Sequence, residues 1–311
     1  MDALLPHTQP TALPDSRHRR ALLLVNRNAR SASEVFGTAA DVLHRSGLEL
    51  ITPVLTDKTS AAREIRAHAK SCDLVIVAGG DGSLNAALQA LVDADLPLGI
   101  LPLGTANDLA KSLGIPTDLE GACAVITGGV ERRIDIGRVN DVYYFNEMSV
   151  GLSTTVSRIV AHDPAKKRFG IIALAYRALQ VMRRMRRFHA WVKCDDEPEM
   201  LLRTAQLTIG NSREFGGFVA SDDASIVDHK LDLYSVSFNQ WYSYFEVLSA
   251  LVRRRYDDAR TVVTLHGKQF RIRTHRPRPI EADGEIVSMT PAQVRVVPNA
   301  VAVMTPAKAP V

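Results

Sequence analysis

The sequence predicts two domains of different class: an α/β domain built on a doubly wound parallel sheet, then a mostly-β domain with the organisation of a β-sandwich. In the first part of the chain, short apolar runs alternate with amphipathic helical patterns, which is typical of parallel strands covered by helices. The remainder is rich in short alternating segments separated by turn residues. A length of 311 residues and an apolar share of 46% suffice for two cores.

The central stretch of the first domain is residues 73–85, DLVIVAGGDGSLN. Residues 73–78 form an apolar, β-branched run that predicts a buried strand. The glycines after it allow a sharp bend and a close approach to a ligand, and Ser83 is a suitable cap for the following helix. The glycines are Gly79, Gly80 and Gly82. The predicted apolar face of that helix consists of Leu84, Ala87, Leu88, Leu91 and Val92.

A helix N-terminus next to a glycine turn predicts a bound anion, most simply a phosphate, although an ordinary strand-to-helix turn has the same appearance. The sequence is neither a P-loop nor a GxGxxG fingerprint, because Asn85 stands where the last glycine would be. Asp81 is a carboxylate directed at a supposed phosphate site. That arrangement is reasonable if Mg²⁺ lies between them, since Mg²⁺ commonly takes one or two carboxylates plus substrate phosphates.

A second strand–loop–helix unit follows. Residues 97–101 predict a strand, residues 102–108 (PLGTAND) a loop, and the next helix ends at Leu113, before Gly114 and Pro116. Two such units would line the carboxyl edge of one parallel sheet, where open α/β sheets bind ligands.

The segments GGDGSLN and LPLGTANDLAKSLGIP resemble the catalytic domain of the diacylglycerol kinase and sphingosine kinase family, most closely its bacterial YegS-like lipid kinases. The resemblance extends over residues 20–306. It implies a Rossmann-like first domain of the kind found in NAD kinases and diacylglycerol kinases. It also implies ATP and Mg²⁺ as cofactors, and transfer of the γ-phosphoryl group to a hydroxyl of a membrane lipid.

The resemblance further implies a set of nucleotide-contacting residues in three loops and at Thr56, which a turn or helix-capping role explains equally well. Arg27 replaces a usual proline, Ala86 replaces a usual glutamate, and Ser83 keeps the hydroxyl of a usual threonine. The implied set is Asn26, Arg27, Asn28, Ala29, Arg30, Thr56, Gly79, Gly80, Asp81, Gly82, Ser83, Leu84, Asn85, Ala86, Gly104, Thr105, Asn107 and Asp108. Asn107 and Asp108 also suit helix capping, and Asp81 and Asp108 are the expected ligands of the catalytic Mg²⁺.

Residues 281–285, EADGE, lie between two strand-like runs, and Asp-Gly is a common two-residue hairpin turn. The resemblance implies that this DGE is the catalytic motif, which makes either Asp283 or Glu285 the base that receives the lipid hydroxyl proton. We expect Asp283, with Glu285 as the close alternative. Such a carboxylate mainly orients the nucleophile, because the proton can leave late in phosphoryl transfer.

Residues 224–233, ASIVDHKLDL, resemble a family segment that binds a second, structural Mg²⁺. The resemblance implies Asp228 and the carbonyls of Ser225 and Lys230 as ligands, with Asp135 linked to the ion through water. A surface β-turn is the alternative. His229 replaces a usual glycine, and a positive φ at this position would be costly for histidine.

The predicted domain limits are a disordered tail over residues 1–18, the α/β domain over 19–138, the β domain over 139–299, and a returning segment over 300–311. The expected strands of the β domain are 142–148, 190–194, 201–210, 230–236, 261–265, 270–273, 280–282 and 293–297. Residues 170–188 predict an amphipathic helix with a basic end. Either this helix packs on the protein with its cations at its C-terminal end, or its basic end binds anionic lipid headgroups together with residues 166–168 and 253–255.

The net charge of +4 is mildly basic, and the basic residues are scattered, which argues against nucleic acid as a partner. Three distant cysteines indicate reduced thiols, and neither a signal peptide nor a membrane-spanning run is expected. We therefore expect a cytoplasmic protein that contacts the inner leaflet peripherally and can form a homodimer through sheet edges. The alternatives are an NAD-kinase-like enzyme with a soluble substrate and a decayed nucleotide- or lipid-binding regulator.

Overall fold

The computed structural model describes residues 19–25, 32–57, 59–151, 187–211, 214–215, 218–219, 226–236 and 262–308. The chain forms two compact units. The first comprises Met1–Ile134 and Asn299–Val311, and the second comprises Asp135–Pro298. The chain passes from one unit to the other within two strands, β5 (Val130–Val139) and β18 (Ala292–Thr305).

The first unit contains a parallel sheet with the order β2-β1-β3-β4-β18, in which each neighbouring pair runs parallel. Its further strands are β1 (Arg20–Val25), β2 (Glu49–Ile51), β3 (Leu74–Gly79) and β4 (Leu98–Pro102). Its helices are α1 (Ala32–Arg45), α2 (Ser60–His68), α3 (Asp81–Ala94), α4 (Asp108–Ser112) and α5 (Leu119–Gly128).

The central strands β3 and β4 are buried at every residue, as expected for parallel strands covered on both faces. Helix α3 packs on β3, and its buried residues are Leu84, Ala87, Leu88, Ala90 and Leu91. This agrees with the predicted face except that Val92 is only half-buried and Ala90 is added. Strand β2 ends at Ile51, so Thr56 lies beyond the strand, in the segment before α2.

The second unit contains two antiparallel layers. One has the order β18-β15-β8-β9, and the other has the order β14-β13-β10-β7-β16-β17. The strands are β6 (Val142–Tyr144), β7 (Glu147–Val150), β8 (Phe188–Cys194), β9 (Met200–Thr204), β10 (Gln206–Gly210), β11 (Glu214–Phe215), β12 (Phe218–Val219), β13 (Leu231–Val236), β14 (Val262–Gly267), β15 (Gln269–Thr274), β16 (Pro279–Ala282) and β17 (Glu285–Met289).

The core of the second unit is formed by inward-facing side chains of both layers, among them Tyr144, Val192, Leu207, Leu233 and Phe270. Strand β15 and residues 292–296 of β18 alternate buried and exposed residues, which is the pattern of a layer with one solvated face. The predicted combination of a parallel α/β domain and a β-sandwich is therefore confirmed.

Two strands predicted as continuous are each divided. The expected 142–148 strand is interrupted between β6 and β7, and the expected 201–210 strand is divided at Ala205 into β9 and β10, which belong to different layers. Conversely, the two C-terminal runs predicted separately form one strand, β18. Apolar alternation continues through a corner as readily as through a strand, so pattern alone does not locate these breaks.

Several expectations lie outside the described residues: the tail, the loop from Asn26 to Arg30, the carbonyl of Ser225, nearly all of the 170–188 helix, and the basic clusters at 166–168 and 253–255. Phe188, the last residue of that predicted helix, instead begins β8. Among the described helices, none is long and apolar enough to cross a bilayer.

Candidate nucleotide site and acidic turns

The two loops identified in the sequence are neighbours in the first unit. Strands β3 and β4 pair in parallel with Gly79 opposite Pro102, and the Leu103 N–H donates to the Gly79 carbonyl at 2.9 Å. Both strands therefore deliver their loops to the same carboxyl edge, as predicted.

The close contact between these loops depends on two glycines. A Cβ on Gly104 would lie 2.5 Å from the Gly80 Cα and 2.7 Å from the Asn107 Oδ1, and a Cβ on Gly80 would lie 2.9 Å from the Gly104 Cα. Gly80 has φ −99° and ψ −174°, which any residue can adopt. At this position glycine serves the packing of backbone on backbone, rather than the sharp bend that the sequence suggested.

Helix α3 begins at Asp81 with Gly80 as its N-cap, so the prediction that Ser83 caps this helix is wrong. Ser83 lies in the first turn, where its N–H donates to the Gly80 carbonyl at 2.8 Å. The N–H groups of Asp81 and Gly82 donate to no described residue. Unused amides at the positive end of a fourteen-residue helix are a suitable anion site.

Asp81 links the two loops. Its Oδ1 accepts a hydrogen bond from the Leu109 N–H at 3.3 Å, and no described residue donates to its Oδ2. The second expected Mg²⁺ ligand is Asp108. It is the first residue of α4 and is only 8% exposed. The carboxylates of Asp81 and Asp108 can together hold Mg²⁺. The N–H groups at the start of α3 can bind the substrate phosphates beside it.

Asn107 holds the second loop in shape. It has φ 52°, accepts from the Gly104 N–H at 2.9 Å, and donates from Nδ2 to the carbonyls of Gly104 (3.0 Å) and Pro102 (3.4 Å). It occupies the N-cap position of α4 but makes no side-chain bond to that helix. Because its amide is committed to its own loop, Thr105, which is exposed, presents the available polar side chain there.

Thr56 has the local role that was the alternative in the sequence. Its hydroxyl contacts the carboxylate of Asp57 at 3.2 Å and the Ser60 hydroxyl at 3.0 Å. Asp57 accepts from the N–H groups of Thr59 and Ser60 and caps the start of α2. The hydrogen bonds from the Thr59 hydroxyl and N–H are the main reason that the pKa of Asp57 is lowered to about 2. Sequence reasoning did not identify Asp57, although an aspartate before a helical pattern is a capping signal.

The EADGE segment of the second unit is a hairpin. Asp283 (φ 43°) and Gly284 (φ 86°) form the two-residue turn between β16 and β17, with Ala282 opposite Glu285. The turn role of this Asp-Gly pair is confirmed, and it leaves open whether the hairpin is also catalytic.

The carboxylate of Asp283 is heavily used by the backbone. It accepts from the N–H groups of Phe145 (2.7 Å), Asn146 (3.0 Å) and Glu147 (3.1 Å), which form the corner between β6 and β7. The Asp283 N–H in turn donates to the Glu147 carbonyl at 3.0 Å. Glu285, two residues later, is exposed. The two candidate carboxylates therefore differ sharply in their environments.

Tyr144 precedes this corner and is fully buried. Burial raises its pKa well above its usual range, and the negative charges of Asp283 and Glu147 add to the effect. The phenol therefore remains protonated at neutral pH and does not serve as a base.

Asp135, in β5, is fully buried and pairs with His229. The His229 backbone N–H donates to Oδ2 at 2.7 Å, and its ring Nδ1 lies 3.0 Å from both carboxylate oxygens. His229 has φ 60°, so the positive φ considered in the sequence analysis is present with histidine in place of glycine. The sequence contained no signal for this ring contact, because the two residues are 94 positions apart.

The predicted second metal site lies only partly within the described residues, because Ser225 is outside them. The Oδ1 of Asp228 accepts from the Lys230 N–H at 2.9 Å. Partial burial raises the pKa of the Asp228 carboxyl, the Lys230 N–H opposes this, and the charges of Asp232 and Asp135 raise it further. Within the described ranges, no three His, Cys, Asp or Glu side chains are placed to hold a metal together.

Comparison with known families covers most of the chain. A model of the diacylglycerol kinase catalytic domain matches residues 20–139, and a model of the YegS C-terminal NAD kinase beta sandwich-like domain matches residues 146–305. This chain belongs to the diacylglycerol kinase family. The resemblance noted in the sequence is thereby confirmed, and the family implies ATP as the phosphoryl donor.

Individual members of the family are distant in sequence. A diacylglycerol kinase of Bacillus subtilis is 29% identical over 280 residues, covering 86% of this chain and 90% of that protein. One from Mycobacterium tuberculosis is 27% identical over 276 residues, covering 87% and 89%. An uncharacterised Synechocystis protein is 29% identical over 238 residues, covering 75% of this chain and 54% of that protein, so the chain spans about half of this relative.

The fold of the family is also recovered among solved structures. A crystal structure of a diacylglycerol kinase from Bacillus anthracis superposes with a TM-score of 0.71, covering 92% of this chain and 96% of that chain. At 16% identity, this likeness establishes the fold alone.

Proposed function

We propose that this protein is an ATP- and Mg²⁺-dependent lipid kinase that transfers the γ-phosphoryl group of ATP to a hydroxyl of a membrane lipid, with diacylglycerol as the default acceptor. A sphingoid base, ceramide or phosphatidylglycerol has the same reacting group. The observation that carries the proposal is the backbone contact of Gly80 with Gly104. It brings the GGDG turn and the LGTAND loop to one sheet edge, with the Asp81 carboxylate hydrogen-bonded across them.

The first unit supplies the phosphate-binding groups. The N–H groups of Asp81 and Gly82, at the positive end of α3, are suited to phosphate oxygens. Asp81 Oδ2 and the Asp108 carboxylate would hold Mg²⁺, which supplies positive charge to the transferring phosphoryl group when bound. The exposed hydroxyl of Thr105 is available to the nucleotide, and Asn107 keeps its loop in the shape that presents it.

The second unit supplies the acceptor-orienting carboxylate, and its greater exposure favours Glu285 over Asp283. Asp283 already accepts from three backbone N–H groups, so its oxygens are occupied in positioning the turn. The exposed Glu285 then orients the lipid hydroxyl and receives its proton. The new bond joins the lipid oxygen to the γ-phosphorus, and the bond between that phosphorus and the β–γ bridging oxygen breaks, with ADP as leaving group.

A lipid acceptor is supported by two kinds of observation. The relatives from Bacillus subtilis and Mycobacterium tuberculosis are named diacylglycerol kinases. On the same edge strand as Glu285, the apolar side chains of Ile286 and Met289 are 68% and 46% exposed. Exposed apolar residues at this edge suit peripheral contact with a bilayer, in line with the expected location at the inner leaflet.

The test is a kinase assay with a matched control. Protein is incubated with ATP, Mg²⁺ and total membrane lipid, with NAD in a parallel reaction, and products are identified by mass spectrometry. We expect a phosphorylated lipid and unchanged NAD. Asp81→Asn should lower the rate about 10²–10³-fold, the loss typical of one electrostatic group at a transition state. Asp93→Asn, at the exposed far end of the same helix, should leave it unchanged.

Three results would contradict the proposal. Phosphorylated NAD without phosphorylated lipid would favour a soluble substrate. ATP binding without transfer to any lipid would favour a regulator. Equal rates for wild type and Asp81→Asn, with both folded by circular dichroism, would remove Asp81 from the site.

A further inference from the structure

The carboxylate of Asp135 is the most enclosed acid among the described residues of the second unit, and a histidine ring lies against it. Asp135 is 0% exposed, and both of its oxygens lie 3.0 Å from Nδ1 of His229. The backbone N–H of the same histidine donates to Oδ2 at 2.7 Å. One residue thus approaches the carboxylate with two nitrogens.

The direction of these hydrogen bonds follows from the chemistry of the groups. An ionised carboxylate can only accept, so the Nδ1 that faces it must carry a hydrogen. The ring is held there by a backbone at φ 60°, a conformation that is costly for a residue with a Cβ. The pairing with buried Asp135 is a contact that offsets this cost.

Two further carboxylates lie near this pair. Asp228 and Asp232 lie close enough that their charges and that of Asp135 act on one another. Asp232 pairs in turn with Nδ1 of His266. Two histidine rings are therefore distributed over a group of three carboxylates, and each ring contacts a different acid.

A magnesium ion does not fit this arrangement. Mg²⁺ takes oxygen ligands at about 2.0–2.1 Å in near-octahedral geometry and keeps several waters. Both oxygens of Asp135, through which the implied waters would link to the ion, already lie within 3.0 Å of nitrogens of His229. The Asp228 Oδ1 is likewise engaged by the Lys230 N–H.

We propose that the imidazole of His229 takes the place of the second, structural Mg²⁺ that the family resemblance implies, so that the second unit of this protein is held in its folded form without a divalent ion. The glycine usual at this position would leave Asp135 open to an ion and its waters. Histidine closes that space and satisfies the buried carboxylate from within the chain. This inference goes beyond the proposed kinase activity, which requires only the Mg²⁺ that accompanies ATP.

The experiment measures thermal stability as a function of divalent ion in the absence of nucleotide. All proteins carry Asp81→Asn and Asp108→Asn, so that the two predicted ligands of the catalytic Mg²⁺ do not contribute. Melting temperatures are recorded with EDTA and with Mg²⁺, and Mn²⁺ binding is counted by electron paramagnetic resonance. We expect no shift and no bound ion in the otherwise wild-type chain.

His229→Gly is the decisive variant, because it removes the ring and accepts the positive φ. It should acquire ion dependence: Mg²⁺ at about ten times its dissociation constant should raise its melting temperature by ~2–4 °C. One bound Mn²⁺ should appear and disappear again with Asp228→Asn. His266→Ala is the matched control. It removes the neighbouring ring but leaves Asp135 paired, so it should gain no ion dependence.

Two results would overturn the proposal. One is a divalent-ion shift in the chain that retains His229, abolished by Asp228→Asn, because an ion would then bind despite the ring. The other is a folded His229→Gly variant that binds no ion and does not respond to Mg²⁺. If His229→Gly does not fold, the chain with His229 decides alone: an Asp228-dependent ion response contradicts the proposal, and its absence supports it.

Discussion

The carboxylates of the two Asp-Gly pairs in this protein differ in how many hydrogen bonds they accept from the backbone. Asp81-Gly82 follows a parallel strand and begins a helix, and Asp81 keeps one carboxylate oxygen without a described donor. Asp283-Gly284 connects two antiparallel strands, and the Asp283 carboxylate accepts from three backbone N–H groups. The same dipeptide therefore leaves one aspartate available to a ligand and commits the other to the fold.

The difference arises from what lies opposite each turn. A helix that starts at Asp81 directs unused N–H groups outward, where a ligand can reach them. A hairpin turn instead faces the break between β6 and β7, where the Asp283 carboxylate accepts from the N–H groups of Phe145, Asn146 and Glu147. Acidic residues in turns should accordingly be assigned to chemistry only after the neighbouring backbone donors have been counted.

The largest expected effect is a loss of lipid phosphorylation when Glu285 is changed. Glu285→Gln should lower the rate of lipid phosphorylation about 10²–10⁴-fold, because the amide cannot receive the hydroxyl proton. The variant should remain folded, since the side chain is exposed. Glu197→Gln, in another exposed turn of the second unit, is the control and should retain full activity. Wild-type turnover in Glu285→Gln would return the catalytic role to Asp283.

The second-largest expected effect is a lower free energy of unfolding when Asp283 is changed. Asp283→Asn replaces one of the two accepting oxygens with an amide donor and leaves at least one corner N–H unsatisfied. The free energy of unfolding should fall by about 2 kcal/mol, measured by urea denaturation. Asp141→Asn, at an exposed turn of the same unit, should change it little. An unchanged midpoint for Asp283→Asn would show that the corner does not need this carboxylate.

The smallest effect is expected at Asp57, whose hydrogen bonds are exposed to solvent. Its folded pKa of about 2 lies below the usual value for aspartate, so its contribution is fully present above about pH 4 and is lost as the pH falls through 2. The melting temperatures of wild type and Asp57→Ala should differ most above pH 5 and converge between pH 4 and pH 2. A difference that does not depend on pH would mean that the carboxylate charge is not involved.

Much of the architecture followed from local pattern. The fully buried runs of β3 and β4 and the apolar face of α3 were readable from residue type, because burial on both faces of a parallel sheet demands apolar side chains throughout. The breaks at Ala205 and between β6 and β7 could not be read from residue type, since apolar alternation continues across them. The packing of Gly80 against Gly104 could not be read from the sequence either, because it is a contact between two loops.

The sequence by itself determined the family, the two-domain fold and the pair of loops that present Asp81 and Asp108, since these depend on glycine turns and apolar runs at close spacing. Only the tertiary structure decided which acids are committed to the protein. Asp283 meets donors 136–138 positions away, and Asp135 meets His229 across 94 positions. Hydrogen bonds act at about 3 Å whatever the separation along the chain, so a carboxylate's role depends on neighbours that only folding provides.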